Sequence, residues 1–116
     1  MIVPEIKSLH SPDLPNGELP ANPEDCAVLC EADIGIQGKN GAEIFTFVVV
    51  TPKFLAQQSG YCWGRGYLVI ESFSWVIVEQ ALQKLVGRCA GHNWHDITAE
   101  LSKELHWEFE NYRQQA

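Results

Sequence analysis

With 116 residues, of which 46% are hydrophobic and 20% charged, the chain has the make-up of one globular domain spanning 1–116, not of a disordered segment. Eight Lys and Arg against 15 Asp and Glu leave a formal charge of −7, which argues against a nucleic-acid binder, because phosphate contacts need cations. The longest apolar runs, near 44–50 and 75–78, are too short to span a bilayer, and "MIVPEIKSLH" has no stretch of signal-peptide length, so no membrane contact and a cytoplasmic location are expected.

Residues 2–9 read as a first strand, at a sheet edge because Pro4 cannot donate a ladder hydrogen bond. "HSPDLPNGELPANPED" follows, a long surface loop with four prolines and two Asn turn signals. "CAVLCEADIGI" alternates, with Val28, Cys30, Ala32 and Ile34 on one face and Glu31 and Asp33 on the other, the period of a half-buried strand. Asn40-Gly41 predicts a tight hairpin into "EIFTFVVVT", apolar on both faces and therefore central and antiparallel to its predecessor. Thr51-Pro52 stops that strand and begins a short helix over "KFLAQQ". "GRGYLVIESF" reads as a fourth strand.

Ser74 then caps a helix whose stripe is Val78, Ala81, Leu82, Leu85, Val86 and Cys89; Gly87 falls inside the pattern and Gly91 is the expected stop. A second helix starts at Asn93, with Asp96 as a capping-box-like partner and Trp94, Ile97, Leu101 and Leu105 as its buried stripe. The whole predicts an α+β domain: an antiparallel four-stranded sheet with two main C-terminal helices packed on one face.

Chemistry is thinly represented. His92, His95 and His106 are the one set that suggests a metal- or ligand-binding enzyme, but Trp94 belongs to an apolar stripe and no Cys pair has zinc-knuckle spacing. Cys26 and Cys30 lie four apart on a strand, about 13 Å, and no base is placed beside any cysteine. "GRG" at 64–66 lacks the following helix that would hold a phosphate. The expectation is no enzyme, no cofactor and no metal, with the histidine-based enzyme as the alternative.

The acids of the C-terminal third are more informative. Asp96, Glu100, Glu104 and Glu108 recur every four residues, and on a helix they form a row of like charge answered only by Lys103. Each such pair costs roughly 0.2–0.5 kcal/mol. A basic surface on a partner would offset that repulsion and be steered by it. If the helix continues, Trp107 points to solvent among these acids as an interface anchor, for a partner or for a homodimer. If it ends near Leu105, "HWEFENY" (106–112) is an extended tail with Trp107 and Phe109 tucked against the core.

The ordered series "EIKSLHSPD", "FVVVTPKFL", "GRGYLVIESF" and "W-x-x-I-x-x-x-L-S" leading to "HWEFENY" resembles the immunity protein 8 family of bacterial polymorphic-toxin and contact-dependent inhibition systems, from Glu5 to about Tyr112. The resemblance implies a small cytosolic α+β protein that binds and neutralises a cognate toxin domain and is not an enzyme. It assigns no contact residues. An acidic inhibitor suits a basic nuclease. The expected toxin-binding residues are Asp96, Glu100, Glu104, Trp107 and Glu108, helped by Asp13, Glu18, Glu24 and Asp25 of the long loop. The alternative surface is the exposed sheet face around Glu31, Asp33 and Glu71.

Overall fold

The computed structural model describes residues 1–58, 60–61 and 63–110. Cys62 and the last two residues of the expected tail, 111–112, lie outside them. The elements are β1 (Pro4–His10), β2 (Ala27–Ile36), β3 (Glu43–Val50), α1 (Pro52–Ala56), β4 (Tyr67–Val69), α2 (Trp75–Val86), α3 (Trp94–Leu101) and β5 (His106–Trp107). Strand order is β1-β2-β3-β4, with β5 also pairing β3. This is the expected α+β class with the two longer helices C-terminal to the sheet.

The alternation in β2 and β3 decides which face is covered. Cys30 stands opposite Phe47 and Ala32 opposite Phe45, and all four are buried, together with Val28, Ile34 and Val49. Val78, Leu82 and Val86 of α2, and Ile97 and Leu101 of α3, close the same core. Each fully buried aliphatic or aromatic side chain contributes about 1.5–3 kcal/mol. Capping fixes where the helices begin. Thr51 Oγ1 accepts from Phe54 N at 3.3 Å, Ser74 Oγ from Ile77 N at 3.4 Å, and Asn93 Oδ1 from Asp96 N at 2.8 Å.

Several boundaries differ from expectation. The β2–β3 connection is not a two-residue turn: it runs from 37 to 42, with positive φ at Gly38 (+80°) and Gly41 (+94°), and none at Asn40. Helix α2 ends at Val86 with Gly87 as its cap, whereas Gly91 pairs with Ile2 through hydrogen bonds of 2.8 and 3.1 Å. The fourth strand is short and runs parallel to β3, with α1 lying between the two in the chain. It ends after Val69: Ile70 N still bonds Val50 O, and by Phe73 the backbone has turned to Pro23 O at 2.8 Å.

The long loop is fastened rather than free. Ser11 is buried and its Oγ donates to Leu29 O at 2.5 Å, Asp13 Oδ2 accepts from Leu29 N at 3.0 Å, and Trp75 Nε1 donates to Glu18 O at 3.0 Å. The first two bonds replace the ladder that β1 stops supplying after His10.

The largest correction concerns the C-terminal third. Helix α3 stops at Leu101, and Leu101 O accepts from both Glu104 N (3.1 Å) and Leu105 N (2.9 Å) in a closing turn. Leu105 is still buried, so the expected stripe outlives the helix. The chain then extends along the half of β3 that β4 leaves unpaired, setting Trp107 opposite Phe45 and His106 opposite Thr46. Pairing those open backbone groups and burying Trp107 outweighs one more helical turn, whose face would have been mostly acidic.

Candidate functional site

The expected acidic row is not continuous. Asp96 and Glu100 lie exposed on α3, Glu104 is in the turn after it, and Glu108 follows β5. Glu100 is paired with Lys103 at 2.9 Å. Glu104 stands at the rim of a cavity of about 150 Å³, whose apolar walls include Phe47, Leu82 and Leu105. Glu108 is spliced into the sheet edge: its backbone N donates to Ile44 O at 3.0 Å, and its carboxylate accepts from Ile44 N.

Trp107 is not a solvent-facing helical anchor. Its ring stacks on Phe45 at 6.5 Å between centroids and meets Phe109 edge-on at 5.5 Å. The extended alternative is adopted over 106–107 only: 108–110 form a turn, and Phe109, expected to tuck against the core, stays exposed.

The turn and β5 are locked by Arg65. Its Nε donates to Ser102 O at 2.8 Å and its Nη2 to Leu105 O at 3.0 Å, and it also pairs with Glu110. His106 Nδ1 lies 2.8 Å from the same carboxylate. Partial burial pushes the Glu110 carboxyl up, but the hydrogen bonds and charges of Arg65 and His106 outweigh it and hold the group below the usual carboxylate range.

On the sheet, Glu31 is 2.9 Å from His10 Nε2, and Asp33 accepts from Ser8 Oγ at 2.5 Å. Glu71 stands apart from them, past the end of β4, where it borders a shallow depression with Glu24 and Lys53. Asp25 accepts from Gln57 Nε2 at 2.8 Å, while Glu18 and Glu24 are exposed.

The histidine alternative loses its geometry. His92 and His95 are exposed at the start of α3, and His106 faces Glu110. Among the described residues no group of three or more His, Cys, Asp and Glu is placed to hold a metal ion. Cys26, Cys30 and Cys89 are free, buried thiols. Burial first, and then the Asp13 charge, push the Cys30 thiol up to about 12, so it is not a nucleophile near neutral pH.

Sequence reasoning missed the most exposed aromatics. Tyr61 and Trp63, in the loop before β4, are 90% and 85% exposed. The signal was present in "SGYCWGRG", where two aromatics sit between glycines in a segment with no periodicity to bury them. Leu29, also exposed, was legible from the alternation that sets Glu31 and Asp33 outward, whereas Ile44, exposed on a strand apolar on both faces, was not.

The domain is a small α+β unit with acids and aromatics at its surface, its described thiols buried and its histidines scattered. The immunity protein 8 family model matches residues 4–112, and the chain belongs to that family. Membership gives it a toxin-neutralising immunity function. No curated protein and no solved structure matches the chain. Among the described residues, no helix is long and apolar enough to cross a membrane.

Proposed function

We propose that the chain neutralises a cognate basic toxin domain, a nuclease being the class that best fits, by binding it stoichiometrically and occluding its active site or substrate channel. The protector and its toxin would belong to a polymorphic-toxin or contact-dependent inhibition system, with the immunity protein acting in the cytoplasm of the producing cell. The observation that carries this is the net charge of −7 on a member of an immunity family. A nuclease must keep a basic cleft to hold phosphates, and an acidic protein competes for that cleft.

Within that reading the acids differ in role. Asp96, Glu100 and Glu104 are solvated on and after α3, so they act at long range and raise the rate of encounter. Glu108, Asp13 and Asp25 are engaged in hydrogen bonds of the fold and add to the field at fixed positions. Glu18 and Glu24 extend the negative surface along the long loop. Trp107 holds the end of the chain on β3 through Phe45.

The test is titration of the activity of the toxin domain encoded beside this chain. Inhibition complete at one equivalent supports stoichiometric occlusion. Residual activity that persists at a large excess would sink it.

A further inference from the structure

The side of the sheet turned away from the helices is unexpectedly apolar. In an antiparallel sheet with one solvated face, that face ordinarily alternates to polar residues. Here Leu29, Val48 and Tyr67 stand opposite one another across β2, β3 and β4, with Ile44 and Val69 on the same face. Leu29, Ile44, Tyr67 and Val69 are all exposed, Val69 by 52%. The loop that delivers the chain to β4 adds Tyr61 and Trp63, each almost fully exposed. Scattered surface leucines need no explanation, but a cross-strand apolar row does, and Tyr61 and Trp63 stand exposed in the loop that leads into its last strand.

Charge decides what covers it. Glu31 and Asp33 sit on this face of β2, and Glu108 closes the edge beside Ile44. The open-face ladder positions of β2 to β5 among the described residues include no Lys or Arg. Lys7, at the irregularity of the far edge strand, is already paired with Glu5 at 2.8 Å. An apolar centre with an acidic rim opposes nucleic acid. It also opposes a second copy of this chain, which would set carboxylates against carboxylates on a body already carrying −7. It fits a basic protein surface with an apolar or aromatic centre.

We propose that the open face of the sheet at its β4 side is the surface on which the toxin docks, with Trp63 and Tyr61 as anchors, Leu29 and Tyr67 as the apolar floor, and Glu31 and Asp33 as the acidic rim. This rests on the toxin-binding reading above and gives it a location. Short-range contact then belongs to the sheet side and long-range steering to the acids of α3. The two act on different rate constants: loss of buried aromatic contacts speeds dissociation, and loss of solvated charge slows association.

The test uses the full chain and the toxin domain encoded beside it, with association and dissociation rates measured separately. Because Trp63 and Tyr61 are exposed, a W63A/Y61A variant keeps its fold, checked by far-UV circular dichroism. It is expected to weaken binding about a hundredfold through dissociation. Charge reversal at Asp96, Glu100 and Glu104 is expected to slow association instead. Amide exchange on the wild-type complex gives an independent footprint, expected on β2, β4 and the 57–66 loop. Affinity of the aromatic variant within threefold of wild type, with protection on α3 instead, would overturn the docking surface and leave the immunity reading intact. Self-association of the free chain through this face would likewise overturn it. Failure of the wild-type chain to bind would remove the reading on which it rests.

Discussion

Trp107 lies stacked on Phe45, ring planes 17° apart, as the side chain that ties the end of the chain to the central strand. The pairing explains why α3 ends where it does. A continued helix would carry Trp107 into water beside Glu104 and Glu108. The extended path buries it and gives β3 a second partner along its edge.

Replacing Trp107 by Ala should therefore cost about 2–4 kcal/mol, since the ring is half-buried and shields Phe45. Urea unfolding measures it. A change under about 0.5 kcal/mol is what an exposed side chain would give, and would contradict the packing described.

Gly66 is the second pin of this region. It has φ +86°, its N donates to Glu104 O at 3.0 Å, and Val48 N donates to its O at 2.8 Å. A Cβ there would collide with the His106 imidazole. Gly66→Ala should destabilise by more than about 1 kcal/mol, from backbone strain and from the clash. Adding His106→Ala should recover the steric part only. Full recovery in the double variant would show that the backbone conformation costs nothing.

The Arg65–Glu110–His106 cluster makes the tail sensitive to acid. Because the Glu110 carboxyl is held below its ordinary value in the folded state, its contribution is present above the unfolded carboxylate pKa. It is lost as pH falls through the folded one. Glu110→Gln should lower stability at neutral pH by about 1 kcal/mol, the exposed Arg65 end being screened by solvent. The variant should lose less than wild type on acidification. Parallel acid-unfolding curves for the two proteins would refute this.

Cys30 gives the opposite sign. Its thiol, pushed up to about 12 by burial and by Asp13, is neutral when folded. The stabilisation is complete below the unfolded thiol value of 9.0 and falls away as pH rises toward about 12. Native protein should leave Cys30 unmodified by a thiol reagent at pH 8, read by mass spectrometry after digestion. Rapid labelling without unfolding would contradict the burial.

The strands β1 to β3 and both main helices were legible because their signals are local: period-two alternation, Asn93, Ser74 and Thr51 as caps, and the stripe from Val78 to Val86. The lost parts depend on distant partners. Nothing near residue 101 announces that β3 has an unpaired edge over Phe45 and Thr46, so the spacing of Asp96, Glu100, Glu104 and Glu108 left a continued helix and an extended tail after Leu105 both open. Leu105 was placed correctly in the core and wrongly in the helix. Likewise "GRGYLVIESF" has strand composition throughout, but the capture of Phe73 N by Pro23 O, across fifty residues, shortens it. Of the surface, the acids were visible and their engagement by Ile44, Ser8 and His10 was not. Tyr61 and Trp63 lie in a segment with neither a periodic pattern nor a chemical motif, so their exposure is marked locally by nothing beyond that lack of pattern.

The most direct measurement of the central claim is titration of the purified chain against the toxin domain encoded beside it, repeated across salt concentration. The account predicts a one-to-one complex whose affinity falls steeply as salt rises, with most of the loss in the association rate. Absence of binding at low salt, or binding indifferent to salt, would contradict an acidic inhibitor set against a basic toxin.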